Sequence, residues 1–349
     1  QTMICNLLGF ITTTPVAAGK GPRAIALLDL DRDGRRDLAV ANIQGSNISL
    51  LLGNDDGSFS VGDSIATLHK APHAITSADF DEDGVLDLVT ANRDSHSVGL
   101  FLGDGNGGFR APVFFPTGQG PRWIAVADFD EDEHADLAVT NRDDGNVTIL
   151  SGEGRGSFTS AGTYASGQGS VPIAAADFDG DGFIDLAVGD DLGDSLFVLA
   201  GDGTGGFELS VVLPVGDAPK NIAVGDLNQD GLSDLAVSCL LDGTVTLLYA
   251  DGEGNFTPHF LSASGGSFAA VIEDFDNDGR RDLAVADGVN NNVAVLLGDG
   301  SGGFTPPRTF ATGASPHALL SADFDRDGRP DLATANTGDN TVSILMNMT

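Results

Sequence analysis

The sequence is poor in residues that several common kinds of protein need. It has two cysteines, Cys5 and Cys239, which excludes a disulfide framework, and the repeat spacing described below places them far apart. Lysine and arginine together number 17 against 51 aspartates and glutamates, giving a formal net charge of −34. A chain without a basic surface is not expected to bind nucleic acid through its phosphates. No apolar run approaches the roughly 18 residues of a membrane span, so we expect no transmembrane segment.

Residues that serve catalysis or sugar stacking are also scarce. One tryptophan and two tyrosines leave little aromatic surface for sugar rings. Glycoside hydrolysis needs two carboxylates in different environments around one bond, but the seven glutamates fall in or beside acidic loops or on an outer strand. The sequence has no nucleophile elbow and no histidine-rich catalytic metal site. We therefore expect no catalytic residues and no enzyme activity.

What the chain has in abundance is aspartate at fixed spacing. The stretch DFDEDGVLDL, residues 79–88, places aspartate at loop positions 1, 3, 5 and 9 and glycine at position 6. Four carboxylates so close repel one another unless a hard cation lies between them, and calcium takes about 6–8 oxygen ligands. The glycine supplies the sharp bend. By analogy with the EF-hand loop, the backbone carbonyl of position 7 is expected to be a further ligand.

The same loop occurs seven times, at intervals of 48–50 residues. Seven copies in register predict up to seven calcium ions, one in each repeat, and make a merely acidic, solvated turn a poor explanation. The loops hold 27 of the 51 acidic residues. The predicted ligands, with position 7 acting through its carbonyl, are Asp29, Asp31, Asp33, Arg35, Asp37; Asp79, Asp81, Asp83, Val85, Asp87; Asp128, Asp130, Asp132, His134, Asp136; Asp177, Asp179, Asp181, Phe183, Asp185; Asp226, Asn228, Asp230, Leu232, Asp234; Asp274, Asp276, Asp278, Arg280, Asp282; and Asp323, Asp325, Asp327, Arg329, Asp331.

Two loops depart from this pattern. The third has Glu133 in place of the glycine, which predicts a strained bend and the weakest binding. The fifth has Asn228 at position 3, which keeps an oxygen ligand but removes one charge. We expect that loop to bind with somewhat lower affinity.

The repeat surrounding each loop predicts four short antiparallel strands. In residues 72–109 a first strand, PHAITSAD, precedes the loop, and DLVTAN follows it. A polar turn leads to VGLFLG, and Phe109 is expected to open the fourth strand. Four strands repeated seven times predict an all-β, seven-bladed β-propeller that occupies residues 1–349 as one domain.

The two ends of the chain are expected to close the ring. A phenylalanine recurs at the predicted start of the fourth strand, and Phe10 stands 49 residues before Phe59. The last repeat stops after its third strand, TVSILMN. An N-terminal strand near residues 9–18 should therefore complete the C-terminal blade, which leaves no open edge.

The seven DxDxDGxxD loops, together with the recurring GDGxGGF turn, resemble the FG-GAP/VCBS repeat family, which includes the head of integrin α-subunits and many secreted bacterial proteins. The resemblance extends from Phe10 to Asn347. It implies a seven-bladed propeller with calcium in the first hairpin of the blades. In integrins only some blades carry metal, and their loops face away from the ligand. A related fold is also a sugar-binding lectin in fungi, so the fold does not choose the ligand.

The face away from the acidic loops collects most of the unusual residues of the repeats, including a concentration of basic residues. Five of them follow a recurrent proline at the mouth of the central channel: Arg23, His73, Arg122, Lys220 and His317. The candidate ligand-binding residues on this face are His73, Arg93, His96, Arg122, Trp123 and Arg142. They could receive an acidic side chain, a sulfated or uronic sugar, or a phosphate. The alternative is that they offset aspartates such as Asp94, Asp143 and Asp144, since surface charge more often serves solvation.

These observations predict a non-catalytic, calcium-binding adhesion module for a protein or glycan ligand. The alternatives are lectin-type carbohydrate binding, the scaffold of a secreted polysaccharide-active enzyme, or a purely structural spacer. We expect a monomer. A secreted or cell-surface location is expected because loops of this kind bind calcium at extracellular concentrations. The sequence starts at Gln1 without methionine, so we expect a processed form, and its first residues do not have the pattern of a signal peptide.

Overall fold

The chain folds as seven antiparallel sheets around a central axis. The computed structural model describes residues 8–349, so Cys5 lies outside the described residues. Cys239 is buried as a free thiol. The first strand of each sheet packs against the first strands of its two neighbours, and the seventh contacts the first. The predicted seven-bladed propeller is therefore confirmed.

The strands are numbered in chain order. Two short N-terminal strands, β1 (Phe10–Thr12) and β2 (Val16–Ala17), belong to the last blade. Blades 1 to 6 contain, in turn, β3 (Pro22–Leu28), β4 (Asp37–Asn42), β5 (Asn47–Gly53), β6 (Phe59–Ala66); β7 (Pro72–Ala78), β8 (Asp87–Asn92), β9 (Ser97–Phe101), β10 (Val113–Pro116); β11 (Pro121–Ala127), β12 (Asp136–Asn141), β13 (Asn146–Gly152), β14 (Phe158–Ala165); β15 (Ser170–Ala176), β16 (Asp185–Asp190), β17 (Ser195–Gly201), β18 (Phe207–Pro214); β19 (Pro219–Gly225), β20 (Asp234–Cys239), β21 (Thr244–Ala250), β22 (Phe256–Ser262); and β23 (Ser267–Glu273), β24 (Asp282–Asp287), β25 (Asn292–Leu296), β26 (Arg308–Ala311). Blade 7 contains β27 (Pro316–Ala322), β28 (Asp331–Asn336) and β29 (Thr341–Asn347). One 3₁₀ turn, Arg93–Ser95, joins β8 to β9.

The second strand of every blade is buried on both faces. It begins at the last aspartate of the acidic loop and carries leucine next, and that leucine is fully buried in each of the seven blades. Since both faces pack against other blades, all six residues of each second strand are buried and the strand shows no alternation of buried and exposed residues. The first strands line the axis, where small side chains such as Ala24, Ala74 and Ala269 surround a cavity of about 160 Å³.

One joint, at loop position 2, fastens each blade to the next. In five of the seven blades this side chain is a phenylalanine that packs edge-to-face against the phenylalanine at the start of the fourth-strand segment of the following blade. Phe80 and Phe158 have ring centroids 5.5 Å apart, and Phe178 and Phe256 are 5.9 Å apart. In blade 1 the residue at position 2 is Leu30, which lies in a cluster with Phe109. Such pairs add about 0.5–1.5 kcal/mol beyond the area they bury.

The ring closes with the same joint. β1 pairs with β29, with Phe10 opposite Asn347, and β2 pairs with the start of β29. Phe10 packs on Phe275 of blade 6 at 5.8 Å, and Phe324 of blade 7 packs on Phe59 of blade 1 at 5.3 Å. The predicted closure is confirmed.

Some fourth strands are shorter than the sequence predicts. In blade 2, Phe109 makes only an isolated bridge to Gly103, and β10 begins at Val113. In blade 6, Phe304 likewise makes only an isolated bridge, to Gly298, and β26 begins at Arg308. Prolines follow in both segments, and a proline has no N–H for the ladder. Among the described residues, no helix is long and apolar enough to span a membrane.

Candidate metal centres and the opposite face

Each acidic loop is a tight turn built on its own carboxylates. In the second loop the N–H groups of Asp83 and Gly84 donate to the two oxygens of Asp79, at 3.1 and 2.8 Å. The N–H of Val85 donates to Asp83 Oδ1 at 2.9 Å. Equivalent bonds to the position 5 carboxylate occur in all seven loops. The side chains at positions 1 and 5 thus fold the chain around one point.

The aspartate at position 9 ties the loop to the blade. Asp87 accepts the N–H of Phe80 on Oδ2 and that of Gly103 on Oδ1, both at 2.8 Å. All seven loops repeat this pair of bonds. The carboxylate therefore links the loop to the end of the third strand while its remaining lone pairs face positions 1 and 3.

The carboxylates converge closely enough to hold a metal ion. Oxygens from positions 1, 3 and 9 lie within 4.8 Å of one another in the second, third, fourth and sixth loops, and those from positions 1, 3 and 5 do so in the first. Four of these loops also contain a buried carboxylate oxygen without a hydrogen-bond partner, namely Oδ1 of Asp29, Asp81, Asp130 and Asp276. A buried anionic oxygen with no donor is costly. A hard cation would satisfy it, so the donor set fits calcium.

The position 9 carboxyls are the most perturbed acids in these clusters. Burial, together with the charges of the neighbouring aspartates, raises the pKa of Asp87, Asp136 and Asp331 to about 6 and that of Asp282 to about 7. The two backbone hydrogen bonds act in the opposite direction and are too weak to offset burial. A positive charge in the cluster favours the ionised form, so a cation bound there would lower these pKa values.

On the opposite face, one side chain from each blade meets at the channel mouth. Each stands at the start of a first strand, and together they enclose a cavity of about 10 Å³. The seven are Arg23, His73, Trp123, Val171, Lys220, Phe268 and His317. The structure thus brings together two of the six predicted ligand residues, His73 and Trp123, directly around the axis.

Three of the cations on this face have carboxylate partners. Asp191 holds two of them, accepting from Arg142 Nε at 3.1 Å and from Lys220 Nζ at 2.7 Å. Arg93 Nε lies 2.6 Å from Asp94 Oδ1. For these residues the charge-offset interpretation is supported. The imidazole of His96 is also occupied, since its Nδ1 accepts the N–H of Gly120 at 3.1 Å.

Arg23 and Arg122 differ from the other cations. Within residues 8–349, neither guanidinium has a carboxylate within 4.0 Å or a side-chain hydrogen bond, and Arg122 Nε is buried without a partner. Burial and the charges of Arg122 and Arg93 lower the pKa of Arg23 to about 10. Burial and the charges of Arg93 and Arg142 lower that of Arg122. The carboxylates of Asp143 and Asp191 act in the opposite direction on the pKa of Arg122. This face therefore holds two positive charges that have no carboxylate in direct contact among the described residues.

His73 adds an unsatisfied acceptor to this pair. Its side chain is 1% exposed, and its Nδ1 lies 3.0 Å from the carbonyl oxygen of Arg122, so Nδ1 carries the proton. Nε2 is buried and has no partner. Burial, then the charges of Arg23 and Arg122, hold the pKa of His73 well below its usual value. The imidazole is thus neutral, with a free lone pair at Nε2.

Comparison with known proteins decides the family. A model of the FG-GAP-like repeat matches residues 29–90, 79–139, 128–188, 177–237 and 274–334, which together include all seven acidic loops. The chain belongs to the FG-GAP-like repeat family. No curated protein matches this FG-GAP propeller in sequence.

Solved structures share the fold of this FG-GAP propeller at low sequence identity. One is BBS1N in complex with ARL6DN, at TM-score 0.70 and 16% identity, covering 97% of this chain and 96% of that chain. A protein from Lactobacillus plantarum has a TM-score of 0.68 and 16% identity, over 87% and 88% of the two chains. A lectin from Agrocybe aegerita, described with specific recognition of non-reducing terminal N-acetylglucosamine, has 0.58 and 18%, over 91% and 86%.

Sequence reasoning missed one feature of the FG-GAP loops. Position 4 has a left-handed backbone in every loop, yet only the fourth loop has glycine there, Gly180, with φ 78°. The other six positions carry Arg32, Glu82, Glu131, Gln229, Asn277 and Arg326, with φ between 56° and 63°. Only the glycine of the fourth loop signals this conformation.

Asp191 was missed as a partner of Arg142 and Lys220, because its contacts cross between blades.

Replacing Glu133 by glycine is expected to stabilise the third loop by about 1 kcal/mol, because Glu133 has φ 71° where the other loops have glycine. Calcium affinity at this loop should rise several-fold. Urea unfolding with and without calcium measures both effects. Glu133→Ala is the matched control, since it removes the side chain but keeps the backbone cost. Equal stabilisation by alanine would show that the side-chain charge, and not the bend, is the problem.

Proposed function

We propose that this FG-GAP propeller is a calcium-stabilised, non-catalytic binding module of the extracellular space or cell surface. The observation that carries the calcium assignment is the set of orphaned carboxylate oxygens at Asp29, Asp81, Asp130 and Asp276. They lie beside further carboxylates and have no donor, an arrangement that suits a hard cation. The family membership supports the same metal, and the expected affinity range of such loops favours an extracellular setting.

The ligand-binding part of the proposal rests on where the blades differ. The acidic loops repeat the same bonds seven times, whereas the seven residues that line the channel mouth are of six different types, and Arg122 Nε is buried without a partner among the described residues. A specialised site is expected where repeat symmetry is broken. The similar propellers include one in complex with a protein and one that recognises a sugar. Both a protein and a glycan are thus reasonable partners for this face.

Calorimetric titration of the metal-stripped protein with calcium tests the metal assignment. Up to seven ions should bind, with the third and fifth loops the weakest. Asp81→Asn should remove about one equivalent, because Asp81 has an orphaned oxygen in the second cluster. Asp217→Asn, at an exposed aspartate on the opposite face, should leave the stoichiometry unchanged. Loss of a similar amount of binding from both variants would contradict a specific site.

A further inference from the structure

We propose that the channel mouth captures one carboxylate of a polypeptide partner, between Arg23 and Arg122. This rests on the proposed function only in taking the face opposite the acidic loops as the ligand face. The partner's neighbouring apolar side chains would rest on three exposed residues of blades 4 to 6, Leu192, Leu241 and Val289.

Uncompensated charge identifies the site as one for an anion. Two guanidinium groups near each other, partly removed from water and without a carboxylate, are unfavourable in the free protein. Arg142 and Lys220 show how this chain satisfies a cation on the same face, through Asp191. Arg23 and Arg122 have no such partner within the described residues, and Arg122 Nε is buried and free. Charge-assisted hydrogen bonds from both would bind a carboxylate.

His73 supplies a further polar group beside the two guanidinium groups. Its Nδ1 is committed to the carbonyl oxygen of Arg122, and Nε2 is a buried acceptor without a donor among the described residues. Because Nε2 is buried, only a donor small enough for the space at the mouth can reach it, so His73 adds polarity to the site but does not choose its occupant.

The size of the cavity favours a side-chain tip over a sugar ring. The space enclosed at the mouth is about 10 Å³, about enough for one water-sized group. The two aromatic rings there are not open stacking surfaces. Phe268 is covered by His317, with ring centroids 3.9 Å apart, and Trp123 lines the central cavity as well as the mouth. These two rings therefore leave little exposed aromatic surface on which a sugar ring could stack.

Apolar residues beside the mouth match the rest of such a partner. Leu192, Leu241 and Val289 occupy equivalent turns after the second strand in three consecutive blades, and they are 62%, 75% and 62% exposed. Blades 2 and 3 have Asp94 and Asp143 at this position. Large exposed apolar residues clustered on one part of a rim indicate a contact surface for another protein.

Trp123 is the only tryptophan of the chain and lines this cavity, so its fluorescence reports on the site. The experiment titrates calcium-saturated protein at constant ionic strength with the blocked peptide acetyl-Leu-Leu-Asp-Leu-Leu-amide. The same peptide with asparagine in place of aspartate, a glucuronate disaccharide and sodium acetate are the comparison probes. The aspartate peptide should give a saturable change, with the asparagine peptide at least about tenfold weaker.

Five variants test how individual side chains change the affinity for the peptides. Arg23→Gln and Arg122→Gln should each weaken the aspartate peptide about tenfold or more, because each removes a charged donor. Arg155→Gln makes the same charge change at an exposed residue on the acidic-loop face and should change affinity less than about twofold. Asp191→Asn should strengthen binding several-fold, because Asp191 opposes an incoming anion near Arg122. Leu241→Ser should weaken both peptides equally.

Three results would overturn the proposal. The first is a fluorescence change that rises linearly with peptide concentration and is the same in all variants. The second is an asparagine peptide that binds as well as the aspartate peptide, and the third is a glucuronate disaccharide that binds more tightly than either. Melting temperatures of the variants exclude misfolding as the cause. Failure of the calcium titration with intact peptide binding would overturn the metal assignment alone. Normal calcium binding without peptide binding would overturn this inference alone.

Discussion

Chelating calcium with EGTA is expected to lower the melting temperature of this FG-GAP propeller by roughly 6–18 °C. Extracellular modules bind calcium with dissociation constants of about 10⁻⁴–10⁻³ M, so about 2 mM free calcium adds about 0.6–1.8 kcal/mol for each loop by mass action. Seven such loops contribute about 4–13 kcal/mol in all. Unfolding 349 residues carries an entropy of about 0.7 kcal/mol per degree, which converts this range into the stated shift.

Differential scanning calorimetry at several calcium concentrations measures the effect. The melting temperature should rise with the logarithm of free calcium, and magnesium at the same concentration should do much less because it dehydrates reluctantly. Asp81→Asn should reduce the total shift by about one seventh, and Asp217→Asn should not reduce it. A melting temperature that is independent of calcium would mean that the acidic loops are not calcium sites.

The loops also explain why so much of this fold could be predicted from the sequence. An aspartate that both folds its own turn and anchors the third strand, as Asp87 does, cannot be exchanged without loss of both, so the spacing is preserved in every repeat. The 49-residue interval between Phe10 and Phe59 likewise predicted the closure, because a phenylalanine at this position packs against loop position 2 of the preceding blade all around the ring. Local interactions that recur in every repeat produce a periodic pattern, and such a pattern is visible in a single sequence.

What could not be predicted depends on contacts between unlike blades. The sequence placed Arg93, Arg122 and Arg142 on one face, but it could not tell which of them has a partner. Arg142 is paired because Asp191 of the next blade reaches it, whereas no carboxylate among the described residues comes within 4.0 Å of the Arg122 guanidinium. The side chains at the mouth come from positions about 49 residues apart, so no local window shows them together. The channel mouth and the turns around it are therefore the part of the molecule that one sequence predicts least.

The N-terminal strand should hold the ring closed, and deleting residues 1–18 is expected to lower the free energy of unfolding by about 5 kcal/mol or more. The deletion removes Phe10, which is 8% exposed and packs on Phe275 and Phe310, with ring centroids at 5.8 and 5.2 Å. Loss of a buried phenylalanine side chain alone costs about 3–5 kcal/mol. The deletion also leaves β29 as an open edge, which favours self-association. Urea unfolding and size-exclusion chromatography measure both effects.

A circular permutant tests whether the ring needs the strand itself or needs it at the N-terminus of the chain. Asn347 corresponds to Gly298 of blade 6, because both N–H groups donate to the position 9 aspartate of their own blade. Joining Asn347 to Phe10 through the turn DGSGG, which follows Gly298, makes the last blade continuous, and the permuted chain then starts at Gly19. Its free energy of unfolding should lie within about 2 kcal/mol of that of the native protein. The main packing that it loses is that of Leu8, which is buried at this joint. If the permutant is as unstable as the deletion, the fourth strand of blade 7 does not close the ring; if the deletion is as stable as the native protein, the ring does not need closing.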